Sequence, residues 1–286
     1  MSDTATAPNT ASAGRLFYRH TLPVRVMHWT NVLSLTLLLM SGLQIFNAHP
    51  RLYWGKSSYT GNPPVLEIGS RQGSGGQPVG FTRIFGHEFD TTGVLGLSSG
   101  SNGSLQRVAF PSAVTVPGPY WLSMARNWHF FFAWVFVLNG LAYLFYGLWS
   151  GHLRRDLWPT RPDLAGIGRS ILDHIRFRHP QGEAARRYNV LQKLAYLAVI
   201  FVLLPLIILA GWAMSPWLDG VWPGWVDLLG GRQSARTVHF VIACLLTAFV
   251  AVHVFEVIVS GLWNHLRSMI TGYYRVNEGG HDGSAR

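Results

Sequence analysis

Four long apolar runs, set apart by polar and glycine-rich stretches, dominate the pattern of this 286-residue chain. A bilayer core needs about 20 mostly apolar residues to cross it as a helix, and each run is that long. They predict transmembrane helices over roughly 24–46, 126–149, 189–213 and 235–263, forming one membrane domain over 24–263 between short tails at 1–23 and 264–286. Pro205 predicts a kink in the third span, because proline removes a backbone donor and crowds the preceding turn. The first thirteen residues are small and polar with no apolar core, so the first run reads as a retained helix and not as a signal peptide.

Between the first two spans lies the longest loop, 47–124, with segments such as "GNPP", "GSGGQPVG" and "LSSGSNGS" that exclude a helix. Its apolar pieces "PVLEIG" and "LQRVAFPSAVTV" predict short strands. A connector of this length is either a surface for docking a partner or partly disordered. In the loop 150–188, "RPDLAGIGRSILDHIRFRHP" spaces Leu164, Ile167, Ile171 and Ile175 near the helical period with Arg between them. That is a basic amphipathic helix, lying on the membrane surface or solvated between spans.

Only 13% of the residues are charged and 49% are hydrophobic, which excludes an ordinary soluble domain. The net charge of +10 would suit nucleic acid only if it covered one soluble face. Instead eight arginines (Arg154, Arg155, Arg161, Arg169, Arg176, Arg178, Arg186 and Arg187) crowd into 150–188, and Arg15, Arg19, Arg25, Arg267, Arg275 and Arg286 lie near the termini. Loop 47–124 carries only Arg51, Lys56, Arg71, Arg83 and Arg107. By the positive-inside rule both termini and 150–188 are cytoplasmic, and 47–124 and 214–234 lie outside. The partner is thus membrane lipid and not nucleic acid. The single cysteine, Cys244, allows neither an intrachain disulfide nor a Cys-x-x-Cys-His attachment, so any haem is held without a covalent link.

Ionisable side chains inside a span mark functional sites by default. Of twelve histidines, four lie in the spans: His28, His129, His239 and His253. His239 and His253 are 14 residues apart, which returns to within ~40° of the same face and separates them by ~21 Å along the axis. With the orientation above, His28 and His253 fall near the inner surface and His129 and His239 near the outer. Two pairs of facing imidazoles at two depths suit two haems with two histidine ligands each, whereas zinc wants about four ligands at one point. A hydrogen-bonding or proton-path role is the alternative. The other eight, among them His20, His49, His87 and His152, sit in loops or at edges and read as solvated.

Small residues agree with this scheme. Gly42 follows His28 by 14 residues, and Gly140 and Gly147 follow His129 by 11 and 18, which brings each glycine near its histidine's face. A helix that ligates one haem is expected to thin where it passes the other; helix packing is the alternative. Arg19 and Arg25 on the inner side, and Arg126, Arg232 and Arg236 on the outer, are candidates for haem propionates or plain interfacial anchors.

The segments "LPVRVMHW", "RNWHFFFAWVFVLNGLAY" and "ARTVHFVIACLLTAFVAVHVFEVIVSGLWNHLRSMITGYY" resemble the di-haem cytochrome b family of bacterial membrane subunits. That family includes the cytochrome b subunits of nickel-iron hydrogenase, formate dehydrogenase and thiosulfate reductase, and the bacterial cytochromes b561. The resemblance implies an all-α membrane protein of the bacterial inner membrane: a four-helix transmembrane bundle with two non-covalent b haems on His28, His129, His239 and His253. It also implies exchange of electrons between the quinone pool and a redox partner. The long, glycine-rich outer loop departs from the pattern and leaves the partner's identity open. A quinone site is implied by resemblance alone, with Glu256, three residues after His253, as a proton group for it or as a carboxylate reaching water or an arginine.

With both axial positions filled by imidazole the iron has no open site, which favours electron transfer over catalysis at the metal. Three functions follow. The first is an electron-carrying membrane subunit serving an extracytoplasmic oxidoreductase docked on 47–124. The second is a stand-alone quinone-linked enzyme acting on superoxide or another small oxidant at the outer haem. The third is a proton or ion transporter that uses the histidines as a relay.

Overall fold

A computed structural model describes residues 15–59, 61–100, 103–176, 189–222 and 224–276. Outside them lie the first thirteen residues, the tail of the amphipathic segment, and Arg178, Arg186, Arg187 and Arg286. Helices α1 (Leu22–Asn47), α2 (Leu122–Trp149) and α8 (Arg232–Val259) are the first, second and fourth spans, and Val190–Ala213 is the third. Each starts or ends within four residues of the expected limits. The third consists of α5 (Val190–Ala198), a π-helical turn (Val199–Leu203) and α6 (Leu204–Ala213), and a short α7 (Pro216–Val221) follows it. The effect of Pro205 is local: the carbonyl that loses its donor sits in a turn wound to the i→i+5 pattern.

The spans are apolar outward and polar inward, as helices surrounded by lipid need to be. Phe131 on α2 is 63% exposed, whereas Ser34, Ser41 and Gln44 on α1, and Ser234 and Thr237 on α8, are buried. The chain divides into two compact units, one from the described parts of 1–27, 144–198 and 250–286, the other from 28–143 and 199–249.

In the second unit, Asn139 Nδ2 of α2 donates to Asn31 Oδ1 of α1 at 2.7 Å. Loop 47–124 is built into an antiparallel sheet of order β2 (Arg51–Leu52), β3 (Leu66–Gln72), β4 (Pro78–Ile84) and β5 (His87–Asp90). A small pair, β6 (Ser98–Ser99) and β7 (Leu105–Gln106), follows. β3 overlaps the first predicted apolar piece, whereas of the second only Leu105 and Gln106 are strand and Ser112–Val114 form a 3-10 turn. β4 and β5 are joined by Phe85 and Gly86, both at positive φ (48° and 85°), the backbone that a two-residue hairpin requires.

Ion pairs stitch the sheet across all four strands: Arg51–Glu67 at 2.7 Å, Glu67–Arg83 at 2.6 Å, Arg83–Glu88 at 2.6 Å and Glu88–Arg71 at 2.9 Å. The Glu88 pairs are exposed enough to contribute only about 0.2–1 kcal/mol each, whereas Glu67 is buried and needs both of its arginines to offset the loss of water. The apolar contribution is larger. Leu52 and Ile68 of the sheet bury themselves with Ala109 and with Phe46 of α1, against Phe240 of α8. Such burial is worth about 1.5–3 kcal/mol per side chain.

The loop also closes the start of α8. Gly55 O accepts from the N–H groups of Gln233 and Ser234, which would otherwise lack partners at a helix start. Ser234 Oγ accepts from Gly55 N at 2.7 Å, and Thr237 Oγ1 donates to Tyr53 O at 2.7 Å. Gly231, at φ +108°, permits the approach: a Cβ there would meet Lys56 Cα at 2.7 Å.

In the first unit the two terminal segments, which the sequence shows only as tails, pair as β1 (Arg15–Tyr18) and β8 (Tyr273–Val276), antiparallel, with Tyr18 opposite Tyr273. Between α8 and β8 lies α9 (Leu262–Thr271), whose Ile270 carbonyl accepts from Arg25. After α2 a π-helical turn (Leu153–Leu157) leads to α3 (Arg161–Ala165) and α4 (Ile167–Ile175). The single amphipathic helix expected here is therefore broken at Gly166. Leu164, Ile171 and Leu172 are exposed on it. Lys193 of α5 pins the segment through Asp163 at 2.8 Å. That ammonium, with the Thr160 amide, holds the Asp163 carboxyl at about 2.

Candidate functional site

His129 and His239 lie about two turns into α2 and α8, and the second unit brings their rings together. Their ring centres are 6.2 Å apart with 61° between the planes. Imidazole nitrogens bind first-row metals at about 2.0–2.1 Å, so with about 1.1 Å from nitrogen to ring centre, two axial rings stand about 6.3 Å apart. The pair is spaced for one metal ion between two imidazoles.

Each ring is set from behind by a neighbouring helix. His239 Nδ1 donates to the Ile207 carbonyl of α6 at 2.9 Å. His129 Nδ1 lies 3.1 Å from Ser41 Oγ of α1 and within reach of the Leu38 carbonyl. A ring whose Nδ1 carries a proton engaged in this way leaves its Nε2 lone pair for a metal.

Two glycines lie against the rings. A Cβ at Gly42 would stand 3.4 Å from His129 Cε1, and one at Gly211 would stand 3.3 Å from His239 Cε1. In both helices the accepting carbonyl belongs to the residue four before the glycine, Leu38 or Ile207. Glycine clears the side of the helix, and the ring reaches the backbone beneath. Further along the buried face of α1, Ser34 Oγ and Gln44 Oε1 have no hydrogen-bond partner among the described residues. Buried polar atoms left so cost about 1–3 kcal/mol each. The fit to a haem rests on the two imidazoles, spaced for one iron and each held at Nδ1 so that Nε2 is left for the metal.

The chain matches prokaryotic cytochrome b561 over residues 19–272. It belongs to the prokaryotic cytochrome b561 family. This makes it a membrane haem protein of four spans, and membership implies b-type haem. Similar proteins include a putative protein-methionine-sulfoxide reductase subunit, YedZ1, of Azospira oryzae, 29% identical over 81% of this chain and 85% of that one. A probable Ni/Fe-hydrogenase B-type cytochrome subunit of Cupriavidus necator is 21% identical over 90% of this chain and 86% of its own. No solved structure matches.

The remaining sequence candidates of this cytochrome b561-family chain are distributed as follows. His28, near the start of α1, belongs to the second unit and packs edge-on to Trp29 at 5.3 Å. His253 belongs to the first unit, its ring 6.4 Å from that of Tyr196. Gly140 has open space where a Cβ would stand. Gly147 packs instead on Leu153, with a Cβ 2.7 Å from Leu153 Cγ, which is the packing alternative.

The arginines expected at the outer surface are engaged with protein. Arg232 pairs with Asp219 at 3.3 Å, Arg236 donates to the His49 and Arg51 carbonyls, and Arg126 lies 5.8 Å from the Phe130 ring. Arg19 stacks on Tyr274 at 4.8 Å. Glu256 is half-buried.

Of the histidines expected to be solvated, His49 is exposed as expected but stacked on a neighbour, whereas His152 and His265 are half-buried and engaged. His49 stacks on Tyr53, and burial with the neighbouring Arg236 and Arg51 pushes it down. His152 pairs with Asp156 at 2.7 Å. His265 packs edge-on to Tyr274, and burial, then Arg19 and His253, push it to about 4. Short helices and sheets outside the spans fold over these residues, which a division into spans and loops does not foresee. Sequence inspection also missed Ser41, Gly211 and the Ile207 carbonyl. Gly211 had a visible signal, a glycine in a highly apolar run, but its span has no histidine to suggest a partner.

Proposed function

We propose that this chain is a di-haem electron carrier of the bacterial inner membrane that passes electrons between the quinone pool and an extracytoplasmic oxidoreductase. His129 and His239 ligate one haem, and His28 and His253 the other. The paired imidazoles 6.2 Å apart carry this proposal. A bound haem supplies a one-electron iron couple. The protein's part would be to fix both imidazole rings, and a haem held by two imidazoles would keep no iron position open for a substrate. Gly42 and Gly211 lie where the rings approach the backbone, and the Ile207 carbonyl holds the Nδ1 proton of His239.

The arginines of 150–188 support a cytoplasmic position for that loop and both termini, and the pairing of β1 with β8 agrees with termini on one side. The sheet of loop 47–124, anchored on α1 and α8, then offers the partner a fixed surface. The names of both relatives, subunits of a sulfoxide reductase and of a hydrogenase, support an oxidoreductase as that partner. Glu256, three residues beyond His253 near the cytoplasmic end of α8, is the proton group for quinone on that side.

The test is purification in detergent, a pyridine haemochrome assay per chain, and reduction by a short-chain quinol. Two haems per chain, both low-spin and both reduced by quinol, are expected. One haem, or none, or haem untouched by quinol, contradicts the proposal.

A further inference from the structure

We propose that Ser41 is a positioning residue for the haem held by His129 and His239, its hydroxyl oxygen accepting the Nδ1 proton of His129. This rests on haem ligation by that pair and goes beyond it. Ser41 is fully buried on α1. Its Oγ stands 2.6 Å from the Leu37 carbonyl, 3.2 Å from the Leu38 carbonyl and 3.1 Å from His129 Nδ1. A hydroxyl has one proton, and a carbonyl can only accept. The proton therefore goes to a carbonyl of its own helix, and the closest is Leu37. What remains for His129 is a lone pair, so Nδ1 must be the donor and Nε2 is left to the iron.

The two axial rings are thereby unequal. His239 has one acceptor, the Ile207 carbonyl four residues before Gly211. His129 has the equivalent carbonyl, Leu38, four before Gly42, and the Ser41 hydroxyl besides. Acceptors on the distal nitrogen raise the basicity of a metal-bound imidazole, which favours the ferric over the ferrous state. The extra hydroxyl keeps the potential of this haem lower than it would be with Leu38 alone, and it fixes the ring's rotation.

A back-bonding serine with a purely helical role would leave these properties unmoved. The test compares the full-length wild-type chain with Ser41→Ala and Ser41→Thr, reading haem content, redox titration and the electron paramagnetic resonance of the ferric haems. Ser41→Ala is expected to keep both haems. At a fixed ambient potential the reduced-to-oxidised ratio of one haem should rise about two- to fivefold, the effect of part of one hydrogen bond. Its ferric signal should shift with it while the other haem stays put, and Ser41→Thr, which retains the hydroxyl, should restore both.

Unchanged titration and spectra in Ser41→Ala, or a Ser41→Thr change as large as that of Ala, overturns the proposal. If Ser41→Ala loses haem, Ser41→Thr decides: haem retained at the wild-type potential supports the proposal, and loss in both overturns it. Failure of the underlying ligation looks different, since His129→Ala would then retain the wild-type haem content and spectrum.

Discussion

Gly211 lies in the span without a histidine, and its replacement tests whether that span shapes the haem site. A Cβ at 211 would stand 3.3 Å from His239 Cε1 and 3.4 Å from Nδ1. In Gly211→Ala the ring must retreat by a few tenths of an ångström, which stretches the 2.9 Å bond to Ile207 towards the limit of a useful hydrogen bond. The loss is part of the roughly 0.5–1.5 kcal/mol of such a bond, no more than about tenfold in haem affinity. In Gly211→Leu a branched side chain occupies the ring's place, and overpacking costs about 1–3 kcal/mol or more. The assay is haem titration with optical and resonance spectra in detergent. Gly211→Ala should weaken and slightly shift one low-spin haem, and Gly211→Leu should convert it to high-spin or lose it. Gly140→Ala, which enters open space, should leave the His129–His239 haem unchanged. A wild-type low-spin spectrum in Gly211→Leu would refute the reasoning.

Other consequences are independent of that span. His239→Ala should abolish one haem and leave the other's spectrum intact, and His253→Ala should do the converse, as read by difference spectra. Removing the Arg236 and Thr237 side-chain contacts to 49–53 (Arg236→Ala, Thr237→Val) should loosen the sheet of loop 47–124 and speed its cleavage by added protease, with both haems retained. Asp163→Asn should lower thermal stability by about 1–3 kcal/mol, since it leaves the buried Lys193 without its countercharge. The folded carboxyl titrates at about 2, below its ordinary value of 3.8, so its contribution is full above about pH 4 and is lost as pH falls through about 2. Melting curves from pH 5 to 2 should therefore converge for wild type and Asp163→Asn.

The spans were legible because length and apolarity alone set them, and the membrane leaves a helix few alternatives. Pairing of His129 with His239 followed from alternating helix direction, which converts sequence position into depth. Gly42 was legible as a thinning of α1, whereas Gly147 was not: its 18-residue offset from His129 gives the face but not the neighbour, which is Leu153. The backbone carbonyls that orient the rings leave no mark in a sequence, since every residue has one. Loop 47–124 disclosed β3 and the short β7 through its apolar pieces but not β2, β4, β5 or β6, and it concealed its anchorage, because the bonds from Gly55 to α8 join residues nearly 180 positions apart. The β1–β8 pairing was hidden for the same reason.

The most direct test of the central claim is an experimental density map of the purified, haem-loaded chain at a resolution that separates iron from its ligands. The account predicts one iron between His129 Nε2 and His239 Nε2, with both Nδ1 atoms still bonded to the neighbouring helices. A porphyrin-free gap between those rings, or iron coordinated by any other side chain there, would contradict it.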